Sequence, residues 1–273
     1  MAPMMDDILK QKILNLITNS CRKISLGDIE KKISENIPSD RKTIRAAVKE
    51  LVDEGAIQYS LHFGTTWIEP SFLRPVRISR SIVVKPQNMG YRAEPQDIVI
   101  DLAPGISFGA GDHPTTRLSV QGIEHALRDR KLIPDFKGTR ILDIGTGSGI
   151  LAIAALKFGI AQGIGTDTDP CALSEARQNA RLNGLEERLR ILPAEDPIAG
   201  MFSMITANLR LPDIMRLFPL VSAHAIPGAP VVLSGLRPFE VTQVLSRYTE
   251  KEFQCLDTSE EKNWSCLVLY KKA

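Results

Sequence analysis

Arg140-Ile141-Leu142-Asp143-Ile144-Gly145-Thr146-Gly147-Ser148-Gly149 is the stretch that decides the fold. Residues 140–144 have the apolar composition of a buried strand. The three glycines break it, and from Ile150 an apolar, alanine-rich run continues as a helix. Glycines between a strand and a helix let the backbone turn sharply and approach a ligand at the helix N-terminus. Working outward, the next strand covers 163–166 and ends in Asp167, twenty-two residues after Gly145. A carboxylate there can accept hydrogen bonds from both hydroxyls of a ribose. Apolar strand-like runs alternate with helical segments over 138–271, which predicts an α/β fold with a mostly parallel sheet covered on both faces.

A nicotinamide cofactor and S-adenosylmethionine both suit that outline, and the glycine spacing separates them. Dinucleotide sites use G-x-G-x-x-G, whose last glycine lets helix and strand pack closely. Here the run is G-x-G-x-G, and Ile150 stands where that last glycine would be. Three further segments accompany the loop. Before it lies 104–116, PGISFGAGDHPTT. After it come Thr166-Asp167-Thr168-Asp169-Pro170 and Asn179-Ala180-Arg181-Leu182-Asn183-Gly184. Later, a strand over 204–207 ends in Asn208-Leu209.

Taken together, residues 100–270 resemble the ribosomal protein L11 methyltransferase (PrmA-type) family. Its pattern is F-G-x-G-x-H-x-T-T, then G-x-G-S-G, D-x-D-P and A-N-[IL]. The resemblance implies a Rossmann-like class I methyltransferase domain with a seven-stranded sheet and S-adenosylmethionine as cofactor. It implies cofactor contacts from Thr116, Gly145, Asp167 and Asn208. Gly147 of the same loop is read as a further cofactor contact, and Asn208 as the catalytic candidate that orients the acceptor amine with its carbonyl. No metal site is expected. His113 is read as bracing the glycine-rich loop, ahead of a catalytic role. The chain departs from the family at three positions: Ala110 and Asp112 stand where the family has threonines, and Arg210 where it has a small or apolar residue. Asp112 is expected to cap the helix opened by Pro114; its second reading is an acid facing the acceptor channel.

Residues 1–70 carry a different pattern. A helix is predicted over 6–19, a short one over 28–33, and a third from Ser39 or Asp40 to a stop before Gly55. Ile44, Ala47, Val48 and Leu51 share one face of the third helix, and Arg41, Lys42, Arg45 and Lys49 form a stripe beside it. Strand-like runs over 56–61 and 65–69 follow, joined through His62-Phe63-Gly64. Three helices and a hairpin resemble a small α+β winged-helix domain, standing where the family's substrate domain is expected. The basic stripe suits a DNA groove. Yet this segment holds ten Lys/Arg and ten Asp/Glu, and a duplex binder normally carries a basic surplus. Protein contact or dimerisation is therefore favoured over nucleic-acid contact.

The expected organisation is a winged-helix-like domain over 1–70, a linker with edge strands over 71–100 and a methyltransferase domain over 101–273. Residues 71–92 contain Arg74, Arg77, Arg80, Lys85 and Arg92 and no acid. They read as basic edge residues that discourage strand pairing; the alternative is a rim attracting an acidic or phosphate-bearing substrate.

Composition agrees with an ordinary globular enzyme. Of 273 residues, 43% are hydrophobic and 24% charged, which excludes a disordered tail, a coiled coil and a collagen-like chain. A net charge of +2 gives no bulk attraction to nucleic acid or membrane. Cys21, Cys171, Cys255 and Cys266 include no C-x-x-C pair, so a reducing cytoplasm is the expected location. MAPMMDDILK lacks a cationic segment followed by an apolar core, so no signal peptide is expected. The most apolar stretch, 150–161, is too short to span a bilayer.

The leading functional expectation is transfer of a methyl group from S-adenosylmethionine to a protein amino group, lysine or N-terminal, with a ribosomal protein as one such acceptor. The alternatives are a nucleic-acid base, a small-molecule acceptor, and a winged-helix regulator that senses the cofactor. Base methyltransferases commonly place an aromatic after Asn-Pro-Pro to hold a flipped base. Asn208-Leu209-Arg210-Leu211 offers neither the prolines nor the aromatic.

Overall fold

A computed structural model describes residues 2–18, 20, 22–62, 64–105, 107–109, 111–129, 133, 135–250 and 252–272, with the side chains of 2–5 and 62 set aside. Cys21, Phe63, Ile106 and Ala110 lie outside the described residues. The chain divides into two compact units, Met1–Arg74 and Pro75–Ala273.

The first unit contains α1 (Ala2–Thr18), α2 (Leu26–Asn36) and α3 (Arg41–Asp53), then an antiparallel hairpin of β1 (Ile57–His62) and β2 (Thr65–Pro70). Ile13, Ile17, Ile29, Ile44, Leu51 and Ile68 are sealed in its core. The helix predicted over 28–33 starts two residues earlier and ends three later. Ser25 Oγ accepts from the Asp28 N–H at 3.2 Å, and Asp28 Oδ2 accepts from the Ser25 N–H at 2.9 Å. This capping box satisfies donors that the helix start would otherwise leave unpaired. Asp40 caps α3, its Oδ1 accepting from the Thr43 N–H at 2.7 Å. On α2, the buried Glu30 pairs with Arg45 and lies 3.8 Å from Arg41. Two of the four cations in the basic stripe therefore face an acid of their own unit.

The second unit is built on a seven-stranded sheet. Its strands are β6 (Arg140–Ile144), β7 (Gln162–Asp167), β8 (Leu189–Pro193), β9 (Met204–Asn208), β10 (Pro230–Leu236), β11 (Phe253–Glu261) and β12 (Trp264–Lys271). The order is β8-β7-β6-β9-β10-β12-β11. The first five of these are parallel, and β12 and β11 close the edge as an antiparallel hairpin. Its two turn residues, Lys262 and Asn263, have φ of 49° and 64°, as a tight turn matched to the strand twist requires.

Helices cover both faces. Successive residues of a strand point to opposite sides. Val231 and Leu233 of β10 pack in one cluster with Ile214 and Phe218 of α7 (Leu211–His224) and Val244 of α8 (Val241–Thr249). Val232 between them instead meets Gly122 of α4 (Pro114–Arg128). α5 (Ile150–Phe158) lies beside α4, and α6 (Pro170–Leu182) lies beside α5. Every residue of β10 is buried, the condition that makes central parallel strands read as unbroken apolar runs.

Residues 75–102 differ from the edge strand expected there. β3 (Val76–Arg77), β4 (Ile82–Pro86) and β5 (Ile98–Leu102) form a separate three-stranded sheet, with β5 lying against α5 and α6. Ile82, Val83 and Ile100 are sealed within it. That burial is a stronger ordering force than the basic residues are a deterrent. Arg77 pairs with Asp97 at 2.7 Å and Lys85 with Asp101, so both cations are matched locally instead of opening onto a rim.

Candidate functional site

The carboxyl ends of β6, β7 and β9 meet at a cavity of about 800 Å³. Such an edge is where ligands of open α/β sheets bind. In register, Ile144 of β6 pairs with Thr166 of β7 on one side and Ala207 of β9 on the other. The next residues are Gly145, Asp167 and Asn208, and all three line the cavity together with Gly147. Neighbouring strands lie about 4.8 Å apart, so Asp167 and Asn208 stand roughly 10 Å apart with the glycine loop between them.

Gly147 has φ 54°, and a Cβ there would meet the Phe108 carbonyl oxygen at 2.4 Å. Gly145 has φ 69°, and its Cβ would strike the Leu209 side chain at 2.6 Å. Absent side chains thus bring two backbone segments together. The Ser148 N–H donates to Phe108 O at 3.0 Å, and Ser148 Oγ to Gly109 O at 2.9 Å. The glycine loop and the F-G-x-G segment therefore form one wall.

Asp167 is half-buried. Its Oδ2 accepts from the Gly147 N–H at 2.9 Å and its Oδ1 from the Asp169 N–H at 3.0 Å. One lone-pair direction on each oxygen stays available to a ligand diol. Two other polar atoms at the cavity are buried and find no partner among the described residues: Asn208 Oδ1 and Ser107 Oγ. Burying such an atom unpaired costs about 1–3 kcal/mol, so both suit a site completed by a polar ligand. A nucleoside cofactor fits this set, with Asp167 for the ribose and the side-chain-free Gly147 beside it. Among the described residues no group of three His, Cys, Asp or Glu could hold a metal ion.

Thr116 sits in the first turn of α4, as expected, but is fully buried and outside the cavity lining. Its Oγ1 also finds no partner among the described residues. The neighbouring Thr115 is the residue that lines the cavity.

The cap of α4 is a correction. His113, not Asp112, is the N-cap: Nδ1 accepts from the Thr115 N–H at 3.3 Å and lies 2.7 Å from Thr115 Oγ1. Asp112 is exposed and contributes its carbonyl to Arg117; it does not line the cavity either. The His113 ring packs between Phe108, tilted by 58° with centroids 4.9 Å apart, and Trp264, edge-on at 67° and 5.0 Å apart. Burial pushes its pKa down to about 4, so the ring is neutral at pH 7 and braces the wall that Phe108 and Trp264 complete.

Sequence reasoning passed over two supports. Asp143 is fully buried, with Oδ1 accepting from Thr206 Oγ1 and Oδ2 from Thr146 Oγ1, both at 2.7 Å. Burial raises its pKa to about 6 despite these donors. It locks the glycine loop to β9. Asn179 is also fully buried: its amide donates to Ser148 O at 2.8 Å and accepts from the Ala103 N–H at 2.9 Å. Asn183, one turn later, holds Asp101 through N–H and carbonyl at 3.0 and 2.7 Å. The signals were an acid inside the apolar run 140–144 and two asparagines four apart on one helix face.

A parallel five-stranded core closed by an antiparallel hairpin, a glycine loop after β6 and an acid ending β7 define the fold of class I methyltransferases. The chain belongs to the ribosomal protein L11 methyltransferase (PrmA) family, whose model matches residues 32–272. That match starts well ahead of residue 100, where the sequence motifs begin. Relatives include the ribosomal protein L11 methyltransferases of Geobacter metallireducens, 40% identical over 196 residues, and Geobacter sulfurreducens, 41% identical over 194. Each match covers 71% of this chain and 62% of the relative, so the chain spans less than two thirds of those proteins' length. A solved structure of the ribosomal protein L11 methylase from Lactobacillus delbrueckii subsp. bulgaricus is similar at TM-score 0.64 and 28% identity. That likeness covers 73% of this chain and all of the other.

Proposed function

We propose that this chain is an S-adenosylmethionine-dependent methyltransferase that modifies an amino group of a protein. The observation that carries the reading is the buried, partnerless carbonyl of Asn208 at one end of the cavity, with the Asp167–Gly147 cradle across β6 from it. Family membership supports the reaction type.

Bound S-adenosylmethionine supplies a methyl group already activated on a sulfonium. The chain's own residues have the remaining tasks. Asp167 and the Gly147 backbone hold the nucleoside, with Gly145 leaving room beside them; Thr116, with its unspent hydroxyl, stays a further candidate. Asn208 Oδ1 accepts a hydrogen bond from the incoming nitrogen, which fixes the lone pair toward the methyl group and supplies the alignment such a transfer needs. The amine must arrive neutral. At pH 7 that costs a free lysine roughly 4–5 kcal/mol, given an ordinary pKa of about 10.4. Desolvation in the cavity lowers this cost. No general base is required of His113, which is neutral and already engaged at Nδ1.

The first unit is read as a winged-helix-like module that contacts the acceptor protein. Its balanced charge and the Glu30–Arg45 pair favour protein over nucleic acid. A ribosomal protein is one acceptor of this kind. A cytoplasmic location suits it, along with the free Cys171, Cys255 and Cys266. No described helix is long and apolar enough to cross a membrane.

Quantifying S-adenosylhomocysteine formed by the wild type and by Asn208→Ala, at matched S-adenosylmethionine saturation, tests the reading. Turnover lost by at least about a hundredfold with cofactor binding retained is expected. Full activity of the variant would remove Asn208 from the reaction, and cofactor binding with no product from any protein fraction would favour a sensor.

A further inference from the structure

Asn208 Oδ1 has a task at the amine end of the cavity, but the other buried and partnerless atom there, Ser107 Oγ, has none. The segment that carries Ser107 is fastened on two sides. Its own N–H donates to Glu175 Oε2 on α6 at 3.1 Å, and a Cβ on Gly105 would collide with the same carboxylate. The next carbonyl, of Phe108, accepts from the Ser148 N–H at 3.0 Å and is the atom that a Gly147 side chain would strike. Ser107 is thus held between the first half of α6 and the glycine loop. Both flank Asp167. Its carboxylate accepts from the Gly147 N–H, and α6 opens three residues beyond it, at Pro170. Neighbouring Cα atoms are about 3.8 Å apart, so Ser107 stands at the Asp167 end of the cavity. Asn208 ends β9, on the far side of β6.

An ionised carboxylate only accepts hydrogen bonds. When the hydroxyls of a ribose donate to Asp167, each hydroxyl oxygen keeps lone pairs that call for a donor. The Ser107 O–H is the matching group. It is shielded from water and meets no competing acceptor among the described residues. The contact between its backbone N–H and Glu175 fixes the residue while the hydroxyl turns about a single bond. Burying that hydroxyl unpaired costs the free chain about 1–3 kcal/mol, a cost that a ligand oxygen relieves.

Resting on the S-adenosylmethionine reading above, we propose that Ser107 is a further nucleoside-binding residue, whose hydroxyl donates to one oxygen of the ribose diol that Asp167 accepts from. Asp167 and Ser107 then divide the diol between an acceptor and a donor. A nucleoside lacking that oxygen loses both partners at once.

The test compares the full chain with its Ser107→Ala variant. That change deletes a hydroxyl with no hydrogen bond among the described residues, so thermal unfolding without ligand should show a Tm unchanged or slightly raised. Calorimetric affinity for S-adenosylhomocysteine should fall about three- to tenfold, the scale of one neutral hydrogen bond. Both proteins are then titrated with the 2′-deoxy and 3′-deoxy analogues. With the analogue that lacks the oxygen Ser107 reaches, the two proteins should bind within about twofold of each other. Equal affinity of the two proteins for S-adenosylhomocysteine itself would overturn the proposal. A loss that persists at full size with both analogues would overturn it too, as would a free variant less stable than the wild type by several degrees, which would make Ser107 a structural residue. Absence of S-adenosylhomocysteine binding by the wild type would instead bring down the methyltransferase reading beneath it.

Discussion

Asp167→Ala is the perturbation that most cleanly tests the ligand-binding half of the site. In the native chain this carboxylate accepts two backbone N–H groups, from Gly147 at 2.9 Å and Asp169 at 3.0 Å. Truncation strips both donors of their acceptor. Because Asp167 is only half-buried, water reaches them, and the stability cost should be about 1 kcal/mol. The charge-assisted bonds to a ribose diol are worth more, so affinity for S-adenosylhomocysteine should fall by roughly 1–3 kcal/mol, about 5- to 150-fold. A loosened glycine loop would also weaken binding, so affinity alone does not isolate the diol contact. A double-mutant cycle does. The wild type and Asp167→Ala are each titrated calorimetrically with S-adenosylhomocysteine and its 2′-deoxy analogue. If Asp167 holds the diol, removing both partners costs less than the two separate losses, with a coupling of about 1–2 kcal/mol. A coupling near zero would make Asp167 a loop brace alone and refute its assignment to the ribose.

Gly147→Ala must either shift the Phe108 carbonyl, now 2.4 Å from the added Cβ, or abandon φ 54°. Left-handed strain alone costs about 1–2 kcal/mol; cofactor affinity by calorimetry should drop at least about tenfold, and unchanged binding would contradict the close approach. His113 has a folded-state pKa of about 4, below its ordinary value near 6.5. The neutral ring's contribution is present above pH 6.5 and lost as pH falls toward 4. Urea unfolding should show His113→Gln losing less stability than the wild type over that window, by about 2 kcal/mol; parallel curves would contradict it. Asp143 titrates in the opposite sense, its raised pKa lending stability as pH falls through about 6, so the comparison must be between variants and not on the wild type alone. A chain beginning at Pro75 should fold and bind cofactor while losing most transfer to the acceptor, read by calorimetry and product formation; full transfer would remove the first unit from acceptor recognition.

Much of the site was legible because its chemistry is local in sequence. Gly145 and Gly147 lie in the loop that follows β6, Asp167 and Asn208 end β7 and β9, and strand ends of a parallel sheet converge by topology alone. What escaped was set by contacts across the chain. The capping role of His113 over Asp112 depends on Phe108 and Trp264 clamping the imidazole, and Trp264 is distant in sequence. Asp143 reads as an interruption in an apolar run until Thr146 and Thr206 are seen to satisfy it. Residues 82–84 have the composition of a strand wherever they go, and only the parallel partner Ile98–Leu102 decides that they join a second sheet. The early start of α2 was in principle readable, since Ser25 and Asp28 have capping-box spacing.

The central claim is methyl transfer to protein. Incubating the full chain with methyl-labelled S-adenosylmethionine and a cell extract, then treating matched samples with protease or nuclease, tests it most directly. Label that enters macromolecules, disappears with protease and survives nuclease is the expected result, and Asn208→Ala should abolish it. Label released by nuclease and not by protease would contradict the account.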